Sequence, residues 1–523
     1  MSCARTNCPG RWQTTLTRSI RHRRIRAAMS ASSTVHDIKT LVQSFHPVIV
    51  IETSEEARVI SLLRAVAEQA SATFFEWSLT RGLVRPPESS PVVGTMDPFV
   101  MLRHLEALTV RGLFLLKDFS PHLDDPKVVR QFRETSQAFI PKRSTLVLAG
   151  AAVQLPRELD TEAVRYQLQL PDSAELEGAI RHVLQSLGKP TAVLTRLPPT
   201  DRDALFRALR GMTLNQARQA ISHAVLNDGT LTAADIPDIL DRKAQMIREG
   251  GLLEYYPATD NQFELGGFAN LKAWLDRASL GFTERAQALN LQAPRGILLV
   301  GIPGCGKSLA AKVIAREWKL PLLKLDAGRL YDKYIGESEK NFRSAVGLAE
   351  SMAPVVLWID EIEKGLVSGG GDADAGLSRR LFGAFLTWLQ EKRQDVFVVA
   401  TANDLSVLPP ELLRKGRFDE IFFVDLPNEE ERMAILAIHL RLRKQQSAPL
   451  DIPKIVSGCE GFSGSEIEQA VVASLYRALH VKSPLTTELV LEEMRQTVPL
   501  SVSRREDVER LREFAHGRFV SVR

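Results

Sequence analysis

The sequence predicts an α/β protein built from two tandem copies of one plan. Each copy is a parallel sheet flanked by helices and followed by a small helical lid, and the first copy is degenerate. Three observations predict this. From residue 295 short apolar, β-branched runs alternate with helix-period stretches, the pattern of a parallel sheet with crossover helices. After Pro427 the pattern turns purely helical. Before residue 250 the same signals occur once already, in the same order.

Length and composition agree. At 523 residues the chain is too long for one ordinary domain. Its 44% hydrophobic and 25% charged residues exclude collagen-like and wholly disordered classes. No run approaches the ~18 apolar residues of a membrane span. Four cysteines in so long a chain do not make a disulfide framework, which points to a reducing cytoplasm. The net charge of +4 misleads, because residues 1–28 hold seven arginines and no acid. Without them 60 basic groups face 63 acidic ones, which leaves no footprint for a dedicated nucleic-acid binder. Residues 1–36 read as a disordered basic tail or a mis-assigned start, with Met29 as the alternative beginning. A transit peptide, and with it a plastid or organelle, is the third reading.

The first copy spans 37–249, with strands at Pro47–Glu52, Phe74–Ser78, Leu113–Asp118 and Thr145–Ala149. Three local matches carry the duplication. Leu155–Leu159 parallels Leu408–Leu412, Arg165–Asp172 parallels Glu420–Asn428, and Gly211–Ala217 parallels Gly461–Ile467. Gly250-Gly251 ends a long helix, and 250–262 reads as a linker. The second α/β body spans 263–428, with strands at Arg295–Gly301, Leu322–Asp326, Val355–Glu361, Val396–Thr401 and Glu420–Asp425. These runs are too apolar to alternate, as strands covered on both faces should be. Ser308–Lys319 is a helix with Leu309, Ala310, Val313, Ile314 and Trp318 on one stripe. The lid, 429–500, holds helices at Glu429–Arg443, Pro453–Gly458, Gly464–His480 and Leu489–Thr497. The last segment, 501–523, reads as a helix over Arg504–His516 stopped by Gly517.

The chemistry sits in the second copy. Gly301-Ile302-Pro303-Gly304-Cys305-Gly306-Lys307-Ser308 fits the phosphate-binding loop G-x-x-x-x-G-K-[ST], after a buried strand and opening a helix. Its backbone N–H groups converge on phosphates at the positive helix end. Lys307 supplies charge to the β/γ-phosphates, and the Ser308 hydroxyl is a Mg²⁺ ligand. Leu309 follows in the first helical turn. Cys305 reads as a small filler, with redox sensitivity as the alternative. Val355–Ile359 leads into Asp360 and Glu361, which would hold Mg²⁺ through its waters and polarise the attacking water. Asn403, ending the fourth strand, could orient that water. Arg414 and Arg417, three apart, suit charge stabilisation supplied in trans.

Together these motifs resemble the AAA family of ring-forming ATPases over roughly 263–480. The resemblance implies ATP and Mg²⁺ as cofactors, hydrolysis of a phosphoanhydride, and self-assembly into a ring, commonly a hexamer. Phe263–Phe268, with Gly266 and Gly267, resembles the linker that embraces adenine. Glu431–His439 resembles the lid helix, which implies that Ile435 and His439 face the nucleoside, with Gly464 of the third lid helix beside it. Leu330–Glu339 resembles the first pore loop, in which Tyr334 would grip a protein substrate. Glu363 departs from the aspartate common at its position. From about residue 34 the chain is also similar to a narrower AAA family of cyanobacteria, red-algal plastids and other bacteria. Its carriers include Glu52-Thr53-Ser54-Glu55-Glu56, Leu252-Leu253-Glu254-Tyr255-Tyr256 and Trp358–Gly365. For phototrophs this implies a regulatory role in photosynthesis or inorganic-carbon use.

The first copy lacks the chemistry. Glu52–Ala57 stands where a phosphate loop should, with no glycine, no lysine and three carboxylates. Asp118 aligns with Asp360, but Phe119 then replaces Glu361, and no paired arginines follow Leu159. The expected function is an Mg²⁺-dependent ATPase that remodels a protein. A slow nucleotide-switched binding module is the first alternative and a DNA clamp loader the second. None of the ten histidines lies in H-E-x-x-H, so no zinc peptidase of that type is fused. Gly369-Gly370-Gly371 opens either a second pore loop or a plain connector.

Overall fold

Val48, Ile49, Val50 and Ile51 are all buried, and this run forms β1 (Val48–Glu52), the strand around which the first sheet is built. The computed structural model describes residues 34–88, 90–189, 197–257, 264–326, 337–366, 372–392, 395–414, 416–445 and 449–523. The basic tail, Phe263, Tyr334 and Gly369–Gly371 lie outside the described residues. Two compact units divide at Ile239 and Leu240.

In the first unit β1 is followed by α1 (Glu56–Ala70), β2 (Thr73–Ser78), β3 (Gly82–Val84), α2 (Pro98–Ala107), β4 (Gly112–Lys117), α3 (Pro126–Lys142), β5 (Thr145–Gly150) and β6 (Ala163–Tyr166). The strand order is β3-β2-β4-β5-β1-β6, parallel except for β3. Ile49, Ile51, Leu113 and Leu115 pack with Val59 and Leu63 of α1. Val48, Val50, Phe114 and Leu116 face Met101 of α2 and Phe132 of α3. Covered faces on both sides are why these strands do not alternate. Helices α4 (Ser173–Ser186), α5 (Pro199–Leu209) and α6 (Leu214–Asp228) complete the unit. The division falls inside α7 (Ile236–Glu249).

The second unit contains β7 (Leu253–Tyr256), α8 (Ala269–Ser279), β8 (Gly296–Gly301), α9 (Lys307–Glu317), β9 (Leu322–Leu325), α10 (Glu337–Ser351), β10 (Val355–Ile359), α11 (Asp372–Glu391), β11 (Val396–Ala402) and β12 (Glu420–Val424). Its lid is α12 (Glu429–Leu442), α13 (Ile452–Gly458), α14 (Gly464–His480) and α15 (Thr487–Gln496), and α16 (Arg505–Ala515) and β13 (Val520–Ser521) end the chain. The sheet runs β13-β12-β8-β11-β10-β9-β7. Its inner order β12-β8-β11-β10-β9 is that of β6-β1-β5-β4-β2, so the two units share one topology.

The lids open alike. Capping boxes at Asp172/Glu175 and Thr213/Gln216 start α4 and α6, as Asn428/Glu431 and Ser463/Glu466 start α12 and α14. Leu436, Ile455, Ile467 and Val490 form the core of the second lid. Two edge strands of the second unit depart from expectation. Within the stretch expected to link, buried Leu253 and Tyr255 alternate with half-buried Glu254 and Tyr256 as β7, antiparallel to β9. After Gly517 (φ +70°) the terminal segment is not all helix, because β13 pairs with β12. Among the described residues no helix is long and apolar enough to cross a membrane.

Candidate nucleotide site

Between the end of β8 at Gly301 and the start of α9 at Lys307 the chain turns from strand to helix through Gly304 (φ +75°) and Gly306 (φ +91°). A Cβ on Gly304 would collide with Ser465 Oγ. Ser465 N donates to Gly304 O at 3.0 Å, so this loop and the first turn of lid helix α14 touch through backbone. Lys307 is buried, and its Nζ donates to the carbonyls of Gly301 and Ile302, both at 2.8 Å. Burial pushes its ammonium down to about 8, against the raising influence of Cys305, Glu363, Asp360 and Glu361.

The acidic residues meet the loop at the end of β10. The sequence extends that strand through Glu361, but it stops at Ile359, and Glu361 kinks to φ +48°. Ser308 Oγ donates to Asp360 Oδ1 at 2.8 Å, and Thr401 Oγ1 donates to the same oxygen at 2.6 Å. Thr401 Oγ1 accepts from Glu361 N–H at 3.0 Å. Asn403 Nδ2 donates to Glu361 Oε1 and Asn403 N to Glu363 Oε1, each at 2.9 Å. Glu363 is buried, which holds its carboxyl above the ordinary value. The residue at which the family motif departs is thus the one that anchors Asn403.

These groups form one end of a cavity of about 640 Å³. Leu265, Gly266 and Phe268 line its apolar end, together with Ile435, Ile438, His439 and Leu442 from one stripe of α12, and Gly464. Burial lowers the pKa of His439, so the imidazole is neutral at pH 7, and Arg443 Nη1 lies 3.2 Å from its Nδ1. Gly267 does not line the cavity; it packs against Glu431. A helix N-terminus with a buried lysine at one end and an apolar slot at the other suits a nucleoside polyphosphate. The Ser308 hydroxyl and Asp360 carboxylate are hard donors suited to magnesium. Among the described residues no group of three or more His, Cys, Asp or Glu could hold a metal ion.

The remaining expected residues divide. Pro303, Cys305 and Leu309 line the cavity, whereas Gly301 and Ile302 serve it through their carbonyls on Lys307. Burial pushes the Cys305 thiol up to about 12, so it is the small filler and no reactive thiolate. Arg414 is exposed, Arg417 donates to Leu386 O at 3.1 Å, and neither lines the cavity. Thr401, Ile438 and Leu442 escape the sequence reading. The last two are legible in retrospect from their helical spacing with Ile435 and His439.

Among the described residues of the first unit, side chains fill the corresponding region. Leu113 and Leu115 of β4 face α1, as Val356 and Trp358 of β10 face α9. That parity puts Lys117 where Asp360 stands and Asp118 where Glu361 stands. Asp118 has φ +47° against +48° at Glu361, and buried Phe119 and Ile362 follow them. The sequence alignment of Asp118 with Asp360 is therefore off by one, and a lysine occupies the place of Asp360. Lys117 Nζ pairs with Glu56 and Glu76, both at 2.9 Å, and Glu56 starts α1 as Lys307 starts α9. Buried Arg58 fills the cleft: it pairs with Glu175 at 2.9 Å and Glu55 at 3.0 Å, and donates to Gln169 O at 2.7 Å. Glu55 Oε1 accepts from Leu214 N, at the start of α6, at 2.6 Å. The space left is about 120 Å³.

Comparison with known proteins follows the same division. Residues 297–426 match the ATPase family associated with various cellular activities (AAA). Residues 34–168 and 174–250 match the N-terminal and second domains of SpoVK-like AAA ATPases. The uncharacterized AAA domain-containing protein ycf46 of Trieres chinensis is 37% identical over 88% of this chain and 92% of its own. Its namesake in Guillardia theta is 34% identical over 92% of this chain and 95% of its own, and that in Pyropia yezoensis 35% over 92% and 97%. With relatives aligned along nearly their whole length and matches to both the filled first unit and the open second one, the chain belongs to the SpoVK-like family of AAA ATPases.

Proposed function

We propose that the second unit binds ATP with Mg²⁺, hydrolyses its terminal phosphoanhydride, and uses the cycle to remodel a protein within a ring of identical subunits, in the family's manner a hexamer. The proposed ATPase core is 263–428, the lid 429–500, and the first domain, 37–249, binds no nucleotide. What supports the reading is one connected set of hydrogen bonds, Ser308–Asp360–Thr401–Glu361–Asn403, at the phosphate end of a cavity that also holds Lys307.

Each residue then has a part. Lys307 exchanges its two carbonyl partners for phosphate oxygens, bringing its charge to the transferring group. Glu361 draws a proton from the attacking water, and Asn403 fixes the rotamer of that carboxylate. Ser308 and Asp360 hold the cation. When bound, Mg²⁺ neutralises charge on the β- and γ-phosphates. Ile435, His439, Gly266 and Gly464 flank the nucleoside. Exposed Arg414, supported by Arg417, serves the site of a neighbouring subunit, and Tyr334 contacts the protein substrate, as the family resemblance implies.

Phosphate release by the full chain tests this. The wild type turns over Mg·ATP, and Glu361→Gln keeps nucleotide affinity while losing at least about a hundredfold in turnover. A folded wild type that releases no phosphate, or a glutamine variant as fast as the wild type, removes the hydrolytic reading.

A further inference from the structure

Thr401 has no part in the chemistry so far, yet it is the best-connected hydroxyl of the cleft. It is 1% exposed, in a strand whose residues are all buried. Its single proton goes to Asp360 Oδ1, and its oxygen accepts the N–H of Glu361, the residue at φ +48°. A side-chain-bearing residue seldom adopts that conformation unaided. One hydroxyl thus holds a carboxylate and the kinked backbone of the next residue together. Ser308 Oγ bonds the same Oδ1, which commits that oxygen and leaves Oδ2 to a hydrated cation.

The first unit supplies an internal contrast. There Lys117 pairs with Ala149 across β4 and β5, while in the second unit Ile359 pairs with Ala400, so that Asp360 comes beside Thr401. Ala149 therefore stands where Thr401 stands, and the hydroxyl is missing together with the metal carboxylate.

We infer that Thr401 is a positioning residue: its hydroxyl orients Asp360 toward the magnesium of Mg·ATP and holds the backbone that aims Glu361 at water. This rests on the Mg·ATP reading of the site. A buried hydrogen bond to a charged group carries roughly ten- to a hundredfold in an equilibrium.

The test compares the full chain with Thr401→Val, which keeps shape and removes the hydroxyl, and Thr401→Ser, which keeps the hydroxyl. A fluorescent ATP analogue is titrated with EDTA and with magnesium, and ATP turnover is followed alongside. Thr401→Val should bind as the wild type does in EDTA, lose about tenfold or more of the affinity gained from magnesium, and drop kcat while KM for Mg·ATP rises with the lost affinity. Thr401→Ser should return both to within about threefold. Thr401→Ala makes the same comparison if the valine is not accommodated. A wild type that gains no affinity from magnesium overturns the Mg·ATP reading itself. A wild type that gains it, with hydroxyl-free variants that gain it equally, overturns the role of Thr401. A serine variant as impaired as the valine one does so too.

Discussion

Lys364 Nζ lies 2.8 Å from Glu361 Oε2, on the carboxylate whose other oxygen accepts from Asn403. A carboxylate oxygen engaged by an ammonium is less open to the attacking water. Lys364 is exposed, so its hold is weak and screened by salt. Lys364→Ala should therefore raise basal ATP turnover by about two- to fivefold at low ionic strength, and less at high salt. Steady-state phosphate release at two salt concentrations checks this. A fall in turnover would mean that the ammonium helps the reaction rather than restraining it.

Arg58 ties the sheet of the first unit to its lid. Its guanidinium forks onto Glu175 and reaches Glu55 with only 3% of the side chain exposed. Burial lowers its pKa, but the hydrogen bonds and charges of Glu175 and Glu55 outweigh this and raise it. Arg58→Ala leaves two carboxylates facing one another, a loss of about 3–5 kcal/mol when one member of a buried ion pair is removed. Amide exchange in α4 and α6 should speed up at least about a hundredfold, and nucleotide should still not bind there. Unchanged protection in those helices would show that the ion cluster is no latch.

The parts legible in the sequence were contiguous or doubly buried. The inner strands of both sheets fall within about two residues of their expected limits, because runs such as Val355–Ile359 are apolar on both faces. Edge strands β7 and β13 escaped, being short and paired on one side only. In the site, the loop from Gly301 to Ser308 announces itself as one motif. Thr401 does not, because a threonine in a β-branched strand looks like propensity. Arg58 reads as an ordinary helix arginine, since Glu175 is 117 residues away in sequence. The sequence aligns Asp118, one residue too late, with Asp360, because Lys-Asp at a strand end aligns either way until the faces of the sheet are known.

The depressed pKa of Lys307 has a sign that binding can read. Free, the group is charged below about 8 and neutral above it, since burial disfavours the ammonium. A bound polyphosphate favours the charged form, so binding above that pH requires uptake of a proton. Affinity for ATP should be level below pH ~7.5 and fall by up to about tenfold per pH unit above pH ~8. Calorimetry in buffers of different ionisation enthalpy should detect proton uptake at pH 9 and none at pH 7. Level affinity across that range would mean that the lysine is charged throughout.

Arg414 stands exposed and away from the cavity of its own chain, while Arg417 is held by the carbonyl of Leu386. If an arginine is to reach the transferring phosphate, Arg414 of another subunit is the freer candidate. Arg414→Ala should keep ATP affinity and lose ~10³-fold in turnover. The same loss would follow from a structural role, so complementation decides. Arg414→Ala retains Glu361, and Glu361→Gln retains Arg414. Mixed one to one and allowed to exchange subunits, two inactive preparations should regain about a quarter of wild-type activity, the share of interfaces that join an intact Glu361 to an intact neighbouring Arg414. Recovery that requires exchange can come only from a site shared between subunits. No recovery in rings shown to contain both variants would confine the arginine to its own chain.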